Sequence, residues 1–289
     1  MKLSNLIDCT QGNMSEVVVG EHPQYGRVVL KRITNRLAGL ERFAQRWDQE
    51  VSICKLLSFK TQVPKVYESG DLPKKWALYE YVGSRTLQDW IDAHSYPLKR
   101  EQIKEACSII RKVLDIIVIS FKNGIVHRDI TPSNVVLNDE GQPFLIDWGL
   151  AAFVNSKSNL HIPDIESSLV RFPLKNVRLT EVYRRHGRPG YAAPEQAEAF
   201  YDTPGLKNDM YSLSVLAIHL ISGRWPFGEL TDSSSILINR QRNVKNQKSI
   251  DSWIIDLFSN RIVDFLLADA KRRSIDTNKF VEMLEDINL

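Results

Sequence analysis

Three oxygen-bearing side chains, Asp129, Asn134 and Asp147, fall within one short stretch of the chain. A hard divalent cation takes carboxylate and amide oxygens, and Asn134 with Asp147 supplies such a pair. Asp129 adds a carboxylate able to accept or orient a hydroxyl proton. Capping of turns is the plainer role open to Asp129 and Asn134. Far upstream, Lys31 sits among Val28-Val29-Leu30 and Ile33, an apolar setting that does not suit a solvated surface charge. Glu50 follows at a separation long enough to run from a strand, across a turn, to mid-helix. A lysine oriented by a carboxylate is a fixed cation suited to phosphate oxygens.

The elements that must hold these groups follow from periodicity. The β-rich runs Glu16–Val19 and Arg27–Leu30, separated by Gly20, Pro23 and Gly26, predict a hairpin. From Leu40 to Leu57 the period changes, with Phe43, Trp47, Val51 and Cys54 on one helical face. Strand character returns at Trp76–Val82 and stops at Gly83-Ser84. Residues 101–123 place Ile103, Ile110, Leu114 and Ile117 at helical spacing, and Met210–Ile221 reads as a strongly apolar helix. A sheet-rich first part and a helical second part predict an α+β fold of two lobes, joined near Tyr81–Ser84. Ligands often lie at such a junction.

Composition narrows the classes. With 43% hydrophobic and 25% charged residues, and 38 basic against 35 acidic, the chain is neither disordered nor a polycationic nucleic-acid coat. Cys9, Cys54 and Cys107 form no CxxC pair, which suits reduced thiols in a cytoplasmic protein. No signal-peptide core opens the chain, and no apolar run approaches the roughly 20 residues of a membrane span. His22, His94, His161, His186 and His219 show no metal-ligand spacing.

The segment His127-Arg128-Asp129-Ile130-Thr131-Pro132-Ser133-Asn134, followed by Asp147-Trp148-Gly149, resembles the protein kinase family. Upstream, Thr10-Gln11-Gly12-Asn13-Met14-Ser15-Glu16-Val17 is similar to a glycine-rich loop, and Val28-Val29-Leu30-Lys31 to the family's strand lysine motif. Downstream stand Ala193-Pro194-Glu195, Asp209 and Arg273. The resemblance runs from about residue 5 to 285. It implies a single bilobal α+β kinase domain over 1–289. Residues 1–82 would form a small antiparallel sheet with one main helix, and residues 83–289 a mostly helical lobe with an extended activation segment at 147–195.

The resemblance also implies roles. Lys31 would hold the α and β phosphates of ATP and Glu50 would orient it. Asp147 and Asn134 would bind Mg2+, with Mn2+ as an alternative, and Asp129 would take the substrate's hydroxyl proton. Thr10, Gly12 and Ser15 would form the phosphate loop. Val17, Val29 and Val136 would sandwich adenine, Glu80 and Val82 would form the hinge, and Tyr79 would close the back pocket. Asp209 would brace the catalytic loop, Glu195 would pair with Arg273, and Arg128 would receive an activation-segment phosphate. The implied activity is transfer of the γ-phosphoryl group to serine or threonine of a protein, including autophosphorylation. A pseudokinase acting as a nucleotide-binding or partner-binding scaffold is the alternative, and a small-molecule kinase a third reading. A nucleic-acid role has only one basic loop behind it.

Several positions depart from the family pattern. The loop keeps only Gly12, and Thr10 and Ser15 give up backbone freedom at the other glycine positions. Trp148 replaces the usual phenylalanine and is expected to restrict flipping of its segment. Thr131 stands where serine/threonine kinases carry lysine, and Arg188 stands where they carry threonine. This suggests that the basic and hydroxyl residues have exchanged places, with independent drift as the alternative. Residues 151–190 hold seven basic residues against three acidic ones. An acidic substrate dock, a phosphorylation switch engaging a regulatory partner, and a solvated insertion all fit that loop. Ser156, Ser158, Ser167, Ser168, Thr180 and Tyr183 are its candidate phosphosites.

Overall fold

The structure, a computed structural model, describes residues 4–11, 15–154, 190–197, 204–228 and 234–287. Gly12, Arg188 and the six candidate phosphosites lie outside them. In chain order the strands are β1 (Ser4–Gln11), β2 (Ser15–His22), β3 (Gly26–Ile33), β4 (Val66–Gly70), β5 (Trp76–Glu80), β6 (Arg85–Thr86), β7 (Ile125–Val126), β8 (Val135–Leu137), β9 (Pro143–Leu145) and β10 (Ala152–Phe153). The α-helices are α1 (Glu41–Leu57), α2 (Leu87–Asp92), α3 (Arg100–Lys122), α4 (Leu206–Ser222), α5 (Ser234–Arg242), α6 (Ser252–Phe258), α7 (Val263–Leu266) and α8 (Thr277–Glu285). The fold is α+β. The chain divides into two compact units, residues 1–116 with 131–151, and residues 117–130 with 152–289.

The first unit is built on an antiparallel five-stranded sheet in the order β1-β2-β3-β5-β4. Its register decides which side chains can work together. Val18, Leu30 and Leu78 stand opposite one another on adjacent strands. With Val28 they make a buried cluster covered by Tyr25, Tyr67 and Trp76. Side chains alternate between faces along a strand. The odd-numbered positions of β3, Val29 and Lys31, therefore share the other face with Val17, Ala77 and Tyr79, their partners or near partners in the ladder. One face stabilises the sheet by burial, and the other presents a lysine. In α1 the buried stripe is Phe43, Trp47, Val51 and Cys54, and Glu50 falls within it at 7% exposure. A carboxylate on that stripe needs a cationic partner.

A three-stranded sheet, β6-β8-β9, completes the first unit. Val135 pairs with Leu145, so Asn134 and Ile146 flank the same end of the hairpin, and the Ile146 N–H donates to the Asn134 carbonyl at 2.9 Å. Neighbouring Asn134 and Asp147 is thus a matter of register.

The second unit is organised by α4, in which every residue from Met210 to Ile221 is buried. Apolar side chains on all sides make it a core helix. Ser212 and Ser214, which would otherwise be buried donors, give their hydroxyls to the Asn208 and Met210 carbonyls at 3.2 and 2.7 Å. β7 and β10 pair antiparallel, and β7 ends immediately before the segment 127–130.

Candidate active site

In the first unit, Lys31 Nζ lies 2.5 Å from Glu50 Oε1 and 3.0 Å from Asp147 Oδ1. The strand, the helix and the end of the β8–β9 hairpin each contribute one charge. Burial alone would pull the Lys31 ammonium down, but the charges and hydrogen bonds of Asp147 and Glu50 outweigh it and hold Lys31 above its ordinary value. Lys31 is therefore a fixed cation. The Asp147 side chain remains 45% exposed, which leaves this carboxylate accessible from solvent.

Asp147 adopts a left-handed backbone, φ 60° and ψ 67°. A non-glycine residue there costs about 1–3 kcal/mol unless its surroundings fix it. Four contacts do so here. Lys31 holds its side chain, and the Trp148 indole N–H donates to the Leu145 carbonyl at 3.1 Å. From α1, Arg46 Nε donates to the Gly149 carbonyl and Gln49 Nε2 to the Ala151 carbonyl, the latter at 2.8 Å. Trp148 is 1% exposed, and a phenylalanine could not make its bond.

Val17 and Val29 lie on the lysine's face of the sheet, and Val136 is buried in β8. Tyr79 is also buried, its phenol pushed well up by burial, and its hydroxyl has no hydrogen-bond partner among the described residues. Glu80 closes β5; its N–H donates to the Lys65 carbonyl and its carboxylate accepts from the Lys65 N–H. Val82 follows in a connection without ladder bonds. At Gly83 a Cβ would stand 2.4 Å from the Leu137 carbonyl oxygen, so only glycine permits that approach. Ser15 opens β2 and pairs in register with Ile33, while Thr10 is opposite Val17 in β1.

Asp129 belongs to the second unit. Arg128, beside it, is also left-handed, with φ 68°. Asp209 of α4 fixes this turn by accepting the His127 N–H at 2.8 Å and the Arg128 N–H at 2.7 Å. Gln196 Nε2 adds a bond to the Arg128 carbonyl at 2.9 Å. Burial pushes the Asp209 carboxyl up to about 6, against the opposing pull of those two N–H donors. The Asp129 N–H in turn donates to His127 Nδ1 at 3.2 Å. A conformationally strained residue therefore accompanies each of the two carboxylates, Asp129 and Asp147.

Residues 190–197 are fastened to the second unit at several points. Gly190, φ 92°, lies against Trp225 so closely that a Cβ would stand 1.8 Å from its ring. The Tyr191 hydroxyl is 2.6 Å from His219 Nδ1, and Gln241 Nε2 donates to the Gly190 and Ala192 carbonyls. Glu195 and Arg273 form a bidentate pair at 2.7 and 3.0 Å. Thr131, in the first unit, is 1% exposed, and its hydroxyl has no hydrogen-bond partner among the described residues.

The donor set fits a hard cation at Asp147 and Asn134. Lys31, Glu50 and Asp147 together carry one excess negative charge, and both ligand types are oxygen donors. No group of three or more His, Cys, Asp or Glu side chains converges among the described residues. Mg2+ does not need one, since it usually keeps water and takes one or two carboxylates with substrate phosphates.

A model of the protein kinase domain matches residues 9–278. The chain belongs to the protein kinase family. It is 26% identical to the serine/threonine-protein kinase Pkn1 of Myxococcus xanthus over 76% of this chain and 28% of Pkn1. It is 23% identical to the probable serine/threonine-protein kinase PknB of Lactococcus lactis over 96% of this chain and 40% of that protein. With PrkC of Bacillus subtilis the identity is 28%, over 75% of this chain and 30% of PrkC. This kinase chain thus spans well under half the length of these relatives. Among its described residues no helix is long and apolar enough to cross a membrane.

Arg46, Gln49, Gln196 and Gln241 escaped the sequence reading. Arg46 left one usable signal, since it lies four residues before Glu50 and so shares its helical face. The three glutamines act through distant backbone carbonyls, and nothing in their local sequence marks that.

Proposed function

We propose that this chain is an ATP- and Mg2+-dependent protein kinase that phosphorylates serine or threonine hydroxyls, autophosphorylation included. The observation that carries the reading is the fixed Lys31 cation held between Glu50 and Asp147, on a sheet face that also presents Val17 and Val29. The domain is read as continuous over 1–289, with the lobes meeting at residues 82 and 83. Lys31 engages the α and β phosphates, and Glu50 keeps its ammonium in place. Val17, Val29 and Val136 enclose the adenine, with Glu80 and Val82 at the hinge, and Thr10, Gly12 and Ser15 lie over the phosphates.

Asp147 and Asn134 hold the metal, which when bound neutralises phosphate charge; Mn2+ has the same ligand preference. Asp129 orients the substrate hydroxyl and takes its proton as the oxygen–phosphorus bond forms. The bond to the β-phosphate oxygen breaks, and its electron pair leaves with ADP. Arg188 supplies the positive charge that Thr131 cannot. The use of ATP and the free thiols of Cys54 and Cys107 favour a cytoplasmic setting.

One observation favours a second reading, a pseudokinase scaffold. Thr131 presents a hydroxyl where the family carries lysine, and that hydroxyl is unpartnered among the described residues. Intact-mass spectrometry after incubation with ATP and Mg2+, beside an Asp129→Asn control, separates the two. Phosphate gained by the wild type alone supports the kinase. No transfer to itself or to added protein substrates, with ATP still raising the melting temperature, supports the scaffold. For the exchange, Thr131→Lys and Arg188→Thr should each lose activity that the double variant regains; additive losses would refute it.

A further inference from the structure

The second unit contains a cleft that the kinase reading does not use. The end of α5 and the turn after α7 converge there, joined by a 2.9 Å bond from the Ala268 N–H to the Val244 carbonyl. They enclose about 260 Å³. Val244 and Leu267, both buried, form an apolar floor, and Arg242, Lys245 and Arg272, all exposed, supply three cations to its lining. Asp269 is the one carboxylate in that lining, and its Oδ1 already accepts the Lys271 N–H at 2.9 Å. Lys245 and Arg272 form no ion pair among the described residues.

The like charges of Lys245 and Arg272 on one concavity repel one another, and an anion placed between them removes that cost. Guanidinium forks match the oxygens of a phosphoryl group, and an ammonium adds a point charge. We propose that this cleft docks a phosphorylated serine or threonine of a partner polypeptide.

The dimensions and lining favour a peptide-borne phosphate over other anions. The cleft is larger than a phosphate alone requires, and its floor offers Val244 and Leu267 to the carbons of a side chain. No aromatic residue lines it, so it lacks the stacking platforms with which proteins hold single-stranded nucleic acid. Clusters of arginine are a recurrent means of recognising phosphorylated segments. A kinase with such a dock would be recruited to partners that already carry phosphate. Binding itself does not depend on the catalytic reading, so the two can fail separately.

Fluorescence anisotropy of the full chain with a labelled decapeptide bearing one central phosphoserine provides the test. The unphosphorylated peptide, inorganic phosphate and a single-stranded oligonucleotide are the comparison probes. The phosphopeptide is expected to bind about tenfold or more tightly than its unphosphorylated form, and Arg272→Glu or Lys245→Glu should abolish that margin. Both residues are exposed, so the melting temperature should not move, and Lys245→Gln gives a milder second variant. Inorganic phosphate should compete only weakly. Equal binding of the two peptides, a margin that survives both charge reversals, phosphate competing as well as the phosphopeptide, or preferential capture of the oligonucleotide would each overturn the proposal.

Discussion

Replacement of Glu195 by glutamine isolates the energetics of the pair that fastens residues 190–197. The Arg273 side chain is wholly buried, whereas that of Glu195 keeps 13% of its surface. Glutamine preserves shape and one acceptor but leaves a guanidinium in the interior without a counter-charge. Removing one partner of a buried pair typically costs about 3–5 kcal/mol. Arg273 retains the Leu267 carbonyl at 2.8 and 2.9 Å, and its guanidinium lies 4.6 Å from the centre of the Tyr211 ring. Those contacts place the expected loss at the lower end, about 3 kcal/mol. For a chain of this size that corresponds to a fall in melting temperature of about 6–12 °C. Urea unfolding followed by tryptophan fluorescence would measure it. The double variant Glu195→Gln/Arg273→Met should cost less than the sum of the two single changes, because it removes the stranded charge. A loss below about 1 kcal/mol, or strict additivity, would refute the claim that pairing in a dry site governs this contact.

Three other perturbations test the strained turns. Arg46→Ala combined with Gln49→Ala frees the Gly149 and Ala151 carbonyls, each bond contributing about 0.5–1.5 kcal/mol. Amide exchange at residues 150–152 should quicken about tenfold or more, and unchanged exchange would contradict the anchoring role. Trp148→Phe removes the 3.1 Å bond to the Leu145 carbonyl and should destabilise by about 1–3 kcal/mol in urea unfolding. Asp209 has a folded value raised to about 6 from 3.8, so its contribution to stability is full below about pH 4 and is lost as pH rises through 6. The wild type's stability relative to Asp209→Asn should therefore fall by about 3 kcal/mol between pH 4 and 7, and a flat difference would refute that sign.

Much of this arrangement is legible in the residues, because it rests on local signals. The β2–β3 hairpin, α1 and α4 announce themselves by period, and Lys31, Glu50, Asp129, Asn134 and Asp147 by motif. Other elements leave fainter traces. β1, Ser4–Gln11, shows no clean alternation and its pairing with β2 shifts register, and β4 is interrupted by a bulge between Val66 and Glu68. The strand expected over Trp76–Val82 ends its ladder at Glu80, where Val28 is the last pairing partner on β3. What sequence could not reveal are contacts formed by backbone carbonyls, which have no residue identity. The bonds of Gln49 to Ala151 and of Gln196 to Arg128 exist because the chain returns to those places, and only the three-dimensional path makes them.

The buried helix α4 bears on how this domain opens. Its amides are bonded along the helix and shielded from water on every side, and its two mid-helix serines need no outside partner. Such protons reach solvent only when the whole unit comes apart, so their deuterium uptake reports the global free energy of unfolding. The turn at His127–Asp129 hangs from Asp209 on this same helix. The slowest protons of that turn should therefore share that clock, while amides in the exposed last turns of α5 and α8 should exchange through smaller, earlier openings. A strained turn of the second unit is thus tethered to its buried core helix.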